Sequence, residues 1–284
     1  MPDKLFLEEV KNYYNKSQKW YTWFYSDNES LGLHYGFWDN PTTTRIEALI
    51  NPYRVIKQYL NPQVNELILD AGCGVGGASL WLAAQTEAKY IGITLSEVQL
   101  QKAIEHRKRR KLEDQTTFFQ KNYFETGFKD NSFDKIFGLE SFCYSYPNSS
   151  PLYKEMYRIL KPGGKLLILD GIFLRNPKNI KEEKLAKDFC RGFRLAAMST
   201  PEQIISQLGA NGFKNINFVD KSLEIKPSVD DIHKKGLLVS PFSYLKYIGL
   251  VTQIEADNLL AFRTQKEMYD IGLYGYGVFV AEKF

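Results

Sequence analysis

The stretch Leu67-Ile68-Leu69-Asp70-Ala71-Gly72-Cys73-Gly74-Val75-Gly76-Gly77 constrains the fold more than any other. A short apolar run ends beside an acid, a glycine-rich turn follows, and a helical pattern begins. Glycine reaches positive φ without strain and lets a ligand approach the backbone closely. A strand whose carboxyl end feeds a helix N-terminus is where α/β sheets bind ligands. Such a turn can also serve packing alone. Here five of the six residues 72–77 are Gly or Cys in a clean strand–helix frame, which favours a ligand.

The rest of the chain fits that start. Apolar runs at 66–71, 88–94, 116–120, 133–138, 164–170, 214–220 and 275–282 predict strands. Helical patterns fall at 76–86, 97–111, 149–160 and 201–208. Strands alternating with helices imply right-handed crossovers and a parallel sheet, an α/β fold. Ser96 with Gln99 predicts a capping box at the start of the second of those helices. Before the sheet, residues 4–25 read as a helix rich in rings (Phe6, Tyr13, Tyr14, Trp20, Tyr21, Trp23, Phe24), and 45–60 as another, stopped by Asn61-Pro62. Residues 178–198 and 228–268 read as mostly helical. The expected organisation is an N-terminal helical lid (1–60), a ligand-binding core (61–225), a helical cap insertion (226–270) and a final core strand (271–284).

Gly72, Gly74 and Gly77 also satisfy G-x-G-x-x-G, so a dinucleotide must be weighed. Asp70 would repel a pyrophosphate, but it suits a ligand bearing an ammonium and a sulfonium. A nicotinamide site wants an acid about 20 residues on, and Ile93-Thr94-Leu95-Ser96 offers none. A net charge of +4 over 284 residues does not by itself imply nucleic acid. The run His106-Arg107-Lys108-Arg109-Arg110-Lys111 suits a helix C-terminus, and no rings interleave it as on a single-strand platform. Three cysteines (Cys73, Cys143, Cys190) and three histidines show no ligand spacing, so no metal is expected. No apolar run reaches membrane-spanning length, and the N-terminus lacks a signal-like apolar core. A cytoplasmic protein is expected, with peripheral membrane contact still compatible.

Separate motifs carry a resemblance. They are Leu-His-Tyr-Gly-Phe-Trp-Asp at 33–39, the glycine turn, Gly-Ile-Thr-Leu-Ser-Glu-Val-Gln at 92–99, Ser-Phe-Asp-Lys-Ile at 132–136, Leu-Glu-Ser at 139–141 and Arg-Ile-Leu-Lys-Pro-Gly-Gly-Lys at 158–165. In this order and spacing, over about residues 30–220, the chain resembles class I S-adenosylmethionine-dependent methyltransferases. The branch is that of sterol and tocopherol C-methyltransferases, small-molecule O-methyltransferases and cyclopropane-fatty-acid synthases. The resemblance implies a Rossmann-like, doubly wound seven-stranded sheet with the last strand antiparallel. It implies S-adenosyl-L-methionine as cofactor, with Gly72 and Gly74 meeting it through backbone and Asp70 organising its methionine end. Thr94, Leu95 and Gln99 would take the ribose side. Asn122 and Tyr123 would take the adenine edge.

Relatives often carry Glu-Ser-x-x-His after the fourth strand. Here Glu140-Ser141-Phe142-Cys143-Tyr144 puts Tyr144 at the His position. The fifth strand lacks the His of cyclopropane synthases, which disfavours cyclopropanation. Methyl transfer from a sulfonium needs positioning and desolvation above all, and a base only for some acceptors. Glu140, His34 and Tyr144 are the candidate catalytic groups, and Tyr35 a candidate pocket hydroxyl. Each also has a bland reading as a structural hydrogen-bonding or packing residue. The expected acceptor is a small, mostly apolar molecule. Rings of the N-terminal segment, and Leu237, Leu238, Val239, Phe242, Tyr244, Leu245 and Tyr247 of the insertion, would wall its cavity. Competing readings are an RNA methyltransferase, a nicotinamide oxidoreductase and a non-catalytic cofactor-binding relative.

Overall fold

Seven strands form where the alternation places them: β1 (Leu67–Ala71), β2 (Lys89–Thr94), β3 (Thr116–Gln120), β4 (Phe133–Leu139), β5 (Leu160–Phe173), β6 (Lys214–Asp220) and β7 (Tyr274–Glu282). The computed structural model describes residues 4–24, 27–250 and 252–284, without the side chains of 19–24, 239, 240, 242, 245, 248 and 254. The strands make one sheet in the order β3-β2-β1-β4-β5-β7-β6. β1 pairs parallel with β2 and β4, and β2–β3 and β4–β5 are parallel too. β7 runs antiparallel between β5 and β6.

The chain runs outward through β2 and β3, then returns to β4 on the other side of β1. The switch point therefore lies above the carboxyl ends of β1 and β4, where such sheets bind ligands. The central strands are buried on both faces, so they read as continuous apolar runs rather than alternating ones. Ile68, Leu69, Ile136, Phe137 and Leu166 to Leu169 are all fully or nearly fully buried. Asp70 and Asp170 are buried acids within these apolar strands.

The helices are α1 (Lys4–Phe24), α2 (Arg45–Leu60), α3 (Gly77–Ala83), α4 (Glu97–Arg110), α5 (Ser150–Ile159), α6 (Ile180–Phe193), α7 (Pro201–Ala210), α8 (Lys226–Val239) and α9 (Gln253–Asp270). Thr44 and Glu47 form a capping box on α2. Three outlines differ from the sequence pattern. α6 stops at Phe193 because Arg194 turns left-handed. The insertion is not one helical run, since a 3-10 stretch (Ser240–Ile248) separates α8 from α9. β5 begins at Leu160, with its Pro-Gly-Gly turn tied to the end of β7 by Gly163 N–H to Lys283 O and Lys283 N–H to Gly164 O.

Lid, core and cap share one interior. Tyr53, Ile56 and Leu60 of α2 and Val229, Leu259 and Phe262 of the cap pack in the same cluster as Ile68. The cap is held closely on α6: a Cβ at Gly192 would lie 2.2 Å from Ala261 Cβ and 2.8 Å from Asp257 O. Gly192→Val is therefore expected to cost about 1–3 kcal/mol by overpacking. Calorimetry should record a Tm lower by several degrees. An unchanged Tm would show that α6 and α9 do not approach this closely.

Candidate functional site

At the end of β1, the Asp70 carboxylate accepts from Ser79 Oγ at 2.7 Å, which ties it to the first turn of α3. Burial pushes this carboxyl up to about 7. The glycine turn is stitched to β2 by Gly72 and Cys73 N–H groups on Ile93 O, at 3.0 and 2.9 Å. Gly72 (φ +108) and Gly74 (φ +53) both sit where side chains are disfavoured, but for different reasons. A Cβ at Gly72 would strike Ser141 Cβ at 2.3 Å, so this glycine permits β1 and the loop after β4 to pack. A Cβ at Gly74 would meet nothing closer than Leu33 Cδ1 at 3.9 Å and Gln99 Nε2 at 4.0 Å. It would instead project into a cavity.

That cavity holds about 850 Å³ and is lined by Asp70, Gly72, Gly74, Thr94, Leu95, Gln99 and Tyr123 among others. It is a cradle that a side chain at Gly74 would fill, with a carboxyl at one end and apolar and hydroxyl-bearing walls at the other. The donor set fits the cofactor that the sequence resemblance implies. Thr94 Oγ1 donates to Gln99 Oε1 at 3.1 Å, and Gln99 Nε2 donates to Gln18 Oε1 of α1 at 3.1 Å. Only half of the expected capping box forms. Gln99 N–H donates to Ser96 Oγ at 3.1 Å, while the Gln99 amide turns to the cavity and the lid. Ser96 Oγ also reaches Asn15 Oδ1 at 2.6 Å, so α1 closes directly over this end. Tyr123 donates to Ser141 O at 2.8 Å. Asn122 stands apart from the others. Its Oδ1 accepts from Phe124 N–H at 3.0 Å in a local turn, and Lys121 and Tyr123 line the cavity in its place.

A second cavity of about 730 Å³ adjoins the first. Phe189 and Phe193 of α6, Ile232 of α8 and Phe262 of α9 give it apolar walls, and Glu140 and Asp170 lie beneath. Tyr14, Leu33, His34, Glu140 and Tyr144 line both cavities, so these five residues surround the junction.

Glu140 is held there by its backbone. It adopts φ +48, a strained value of the kind that clusters at functional sites. Its N–H donates to Leu169 O at 2.8 Å, and its Oε1 accepts from Tyr35 N–H at 2.8 Å. Burial pushes its carboxyl up to about 8, with the nearby Asp170 charge adding to the effect. Asp170 accepts from the Cys143 and Gly171 N–H groups at 2.8 and 3.0 Å, and burial pushes it up to about 7.

His34 is 9% exposed, and burial lowers it to about 4, so it is neutral near pH 7. Its Nδ1 lies 2.9 Å from Tyr35 O and its Nε2 3.0 Å from Tyr53 Oη. A carbonyl only accepts, so Nδ1 carries the hydrogen, and the single Tyr53 hydroxyl hydrogen is shared between Nε2 and Ser30 O, which also lies 3.0 Å from Tyr53 Oη. Both nitrogens are then engaged in holding the loop. Tyr144 links α1 to α6, accepting from Tyr14 Oη at 2.9 Å and donating to Phe193 O at 3.2 Å.

One sequence expectation about the walls is corrected. Leu237 and Leu238 at the end of α8 are exposed, at 48% and 75%, and so are Tyr244 and Tyr247 of the 3-10 stretch, at 71% and 75%. The insertion lines the cavity through Ile232, Phe262 and Gln265 instead. Val239, Phe242 and Leu245 lie outside the described side chains, as do Trp20, Tyr21, Trp23 and Phe24. Asp170 and Gln265 were not legible as site residues. Asp170 lies in a strand without a motif, and Gln265 sits on a helix far away in sequence. The basic run is partly structural: Arg107 donates to Thr116 O at 3.1 Å, and Arg110 to Asn28 O and Glu29 O at 3.1 and 2.6 Å. Among the described residues, no group of three or more His, Cys, Asp or Glu could hold a metal ion. No described helix is long and apolar enough to cross a membrane.

With this geometry in place, comparison with known proteins gives a consistent answer. A family model described as a methyltransferase domain matches residues 69–168. The chain is 27% identical over 281 residues to the methyltransferase GfsG of Streptomyces halstedii, covering 98% of this chain and 95% of that protein. It is 35% identical over 132 residues to sterol methyltransferase-like 3 of Botryococcus braunii, covering 46% and 33%. The chain spans less than half the length of the sterol methyltransferases it matches. Among solved structures, the [4+2]-cyclase SpnF superposes with a TM-score of 0.81 at 19% identity, covering 97% of this chain and 95% of that one. Geranyl diphosphate C-methyltransferase of Streptomyces coelicolor A3(2), solved with Mg²⁺, geranyl diphosphate and S-adenosyl-L-homocysteine, gives 0.71 at 19% identity and covers 100% and 99%. These structural likenesses establish the fold. Since a cyclase shares it, the reaction must be argued from the site.

Proposed function

We propose that this chain is an S-adenosylmethionine-dependent methyltransferase acting on small molecules, that its acceptor is mostly apolar and that Glu140 is the base. The observation that carries the proposal is the junction of the two cavities. One is a polar-ended cradle around Gly74, the other an apolar chamber under the cap, and Glu140 opens onto both.

S-adenosylmethionine, when bound, supplies a methyl group on a sulfonium, which is strongly electrophilic and has a good leaving group. The chain's own residues have three tasks. Asp70 meets the positive methionine end, Thr94, Leu95 and Gln99 hold the ribose side, and the Tyr123 ring flanks the adenine. Asn122 serves this end through its turn rather than its amide oxygen, which Phe124 N–H occupies. At the junction, the Glu140 carboxylate takes the proton from an acceptor hydroxyl as the nucleophile attacks. We assign this to Glu140 rather than His34, whose nitrogens are both engaged. Tyr144 and Tyr14 close the junction from the lid side and exclude water, which strengthens every charge interaction inside. The three buried free cysteines suit a reducing cytoplasm.

Cofactor binding should depend on pH. Asp70, raised to about 7 without a cation beside it, must be ionised to meet one. Affinity for S-adenosylmethionine is expected to fall as pH drops below that value, by up to about tenfold per unit, and Asp70→Asn should remove the dependence. Calorimetry across pH checks this, and a flat profile in the unaltered protein would count against Asp70 as the ligand.

The proposal is tested by following S-adenosylhomocysteine release with a panel of lipophilic small molecules, in EDTA. Turnover with apolar hydroxyl compounds, unchanged by EDTA, is expected. Release only with RNA or protein, or only after magnesium is restored, would refute it.

A further inference from the structure

Above about pH 8 the chamber under the cap carries charge of one sign. Glu140 and Asp170 lie in its lining, and no lysine or arginine is among the described residues that line it. Its one histidine, His34, is neutral near pH 7. Backbone N–H groups of Tyr35, Cys143 and Gly171 donate to the two carboxyls, and the side chains near them, Tyr276 and Cys143, bring no cation. An anionic head group entering here would find carboxyls and no compensating cation.

One donor in the same wall is unmet. Gln265 of α9 is 1% exposed, and its Oε1 accepts from Tyr35 Oη at 2.6 Å. Its Nε2 has no hydrogen-bond partner among the described residues. Whichever way the amide is turned, one end remains unpaired. Buried polar groups are nearly always satisfied, so an orphan in the wall of a cavity calls for a partner. A ligand oxygen supplies one. Around these groups the walls are Phe189, Phe193, Ile232 and Phe262.

We propose that the acceptor is an uncharged, largely apolar molecule whose polar end carries a hydroxyl, met by Glu140, and a second oxygen, met by the Gln265 amide, and that the chamber rejects acceptors bearing phosphate or diphosphate. This rests on the reading of the chain as a methyltransferase of small apolar molecules and adds the chemistry by which the acceptor is chosen. Gln265 is a specificity residue on the cap, more than a hundred positions from Glu140 and His34.

The probes are three ligands with one alkyl chain: lauryl glycol (a neutral vicinal diol), lauryl alcohol and lauryl phosphate. Each is titrated calorimetrically at pH 9, where Glu140 and Asp170 are both ionised, into protein saturated with S-adenosylhomocysteine, with and without magnesium. Lauryl glycol is expected to bind about 5–10-fold more tightly than lauryl alcohol, the gain of one buried hydrogen bond. Gln265→Met should remove that advantage and leave S-adenosylhomocysteine affinity unchanged. Lauryl phosphate should bind roughly 100-fold more weakly than the diol in either condition, from charge repulsion in a poorly solvated chamber. Phosphate binding as tight as the diol's, with or without magnesium, overturns the proposal. So does an undiminished diol preference in Gln265→Met, or no diol binding up to its solubility. If Gln265→Met does not fold, the comparison of diol and phosphate in the unaltered protein decides alone. Failure of S-adenosylhomocysteine itself to bind would strike the methyltransferase reading instead, and is seen before any acceptor probe is added.

Discussion

Glu140→Gln is expected to lower kcat by about 10²–10⁴-fold, the usual worth of a positioned general base. Cofactor affinity should be retained, because the substitution keeps the side chain's size and its acceptor for Tyr35 N–H. The pH profile gives a second readout. Burial holds the free Glu140 carboxyl at about 8, so the base is protonated below that value. kcat/KM should therefore rise about tenfold per unit as pH increases, and level off above about 8. A sulfonium beside the carboxylate favours ionisation, so the kcat profile should level off at a lower pH than kcat/KM. A Glu140→Gln enzyme with full kcat, or a kcat/KM flat across this range, would show that proton removal lies elsewhere.

Gly74→Leu should abolish cofactor binding, weakening S-adenosylhomocysteine by roughly 100-fold or more, about 2.8 kcal/mol. The side chain would project past Leu33 and Gln99 into the cradle. Gly72→Leu is the informative contrast. Its Cβ alone would lie 2.3 Å from Ser141 Cβ, so it should lower Tm rather than act chiefly on affinity. Calorimetric titration and melting of both variants separate the two. Equal loss of stability in each, with binding intact at Gly74→Leu, would mean that the turn serves packing alone.

The contrast between these two glycines shows where sequence reasoning stops. Both carry positive φ, and the pattern assigns both to the ligand. Only the position of Ser141, just past the end of β4, which pairs with β1 three connections later in the chain, separates them. The strands were legible because central parallel strands are buried on both faces and appear as unbroken apolar runs. Ends were less so. Leu160 starts β5 early because β7, more than a hundred residues later, ties down its glycine turn.

The cofactor side was legible for a related reason. Asp70, Gly72, Gly74, Thr94, Leu95 and Gln99 lie on two adjacent strand–helix junctions, so one short stretch of chain brings each group to the cavity. The acceptor side is assembled from α1, the loop at 33–39, β4, β5, α6 and α9, and no local spacing encodes that meeting. Asp170 is an acid in an apolar strand, and Gln265 one polar residue on an amphipathic helix. Each would be conspicuous only once the sheet order is known. The insertion misled in the opposite direction. Its apolar density suggested a wall, but Leu237 and Leu238 face outward at the end of α8, and the 3-10 stretch that follows does not keep the period that would turn Tyr244 and Tyr247 inward.

The most direct test of the account is to follow a deuterated methyl group. The purified protein is incubated with S-adenosylmethionine labelled in that position and with a crude cell extract, and the organic and aqueous fractions are read by mass spectrometry. The account predicts label on an uncharged, organic-soluble small molecule, formed by the unaltered protein and strongly reduced with Glu140→Gln. Label confined to RNA, protein or a phosphorylated compound, or no label transferred although S-adenosylhomocysteine binds, would contradict it.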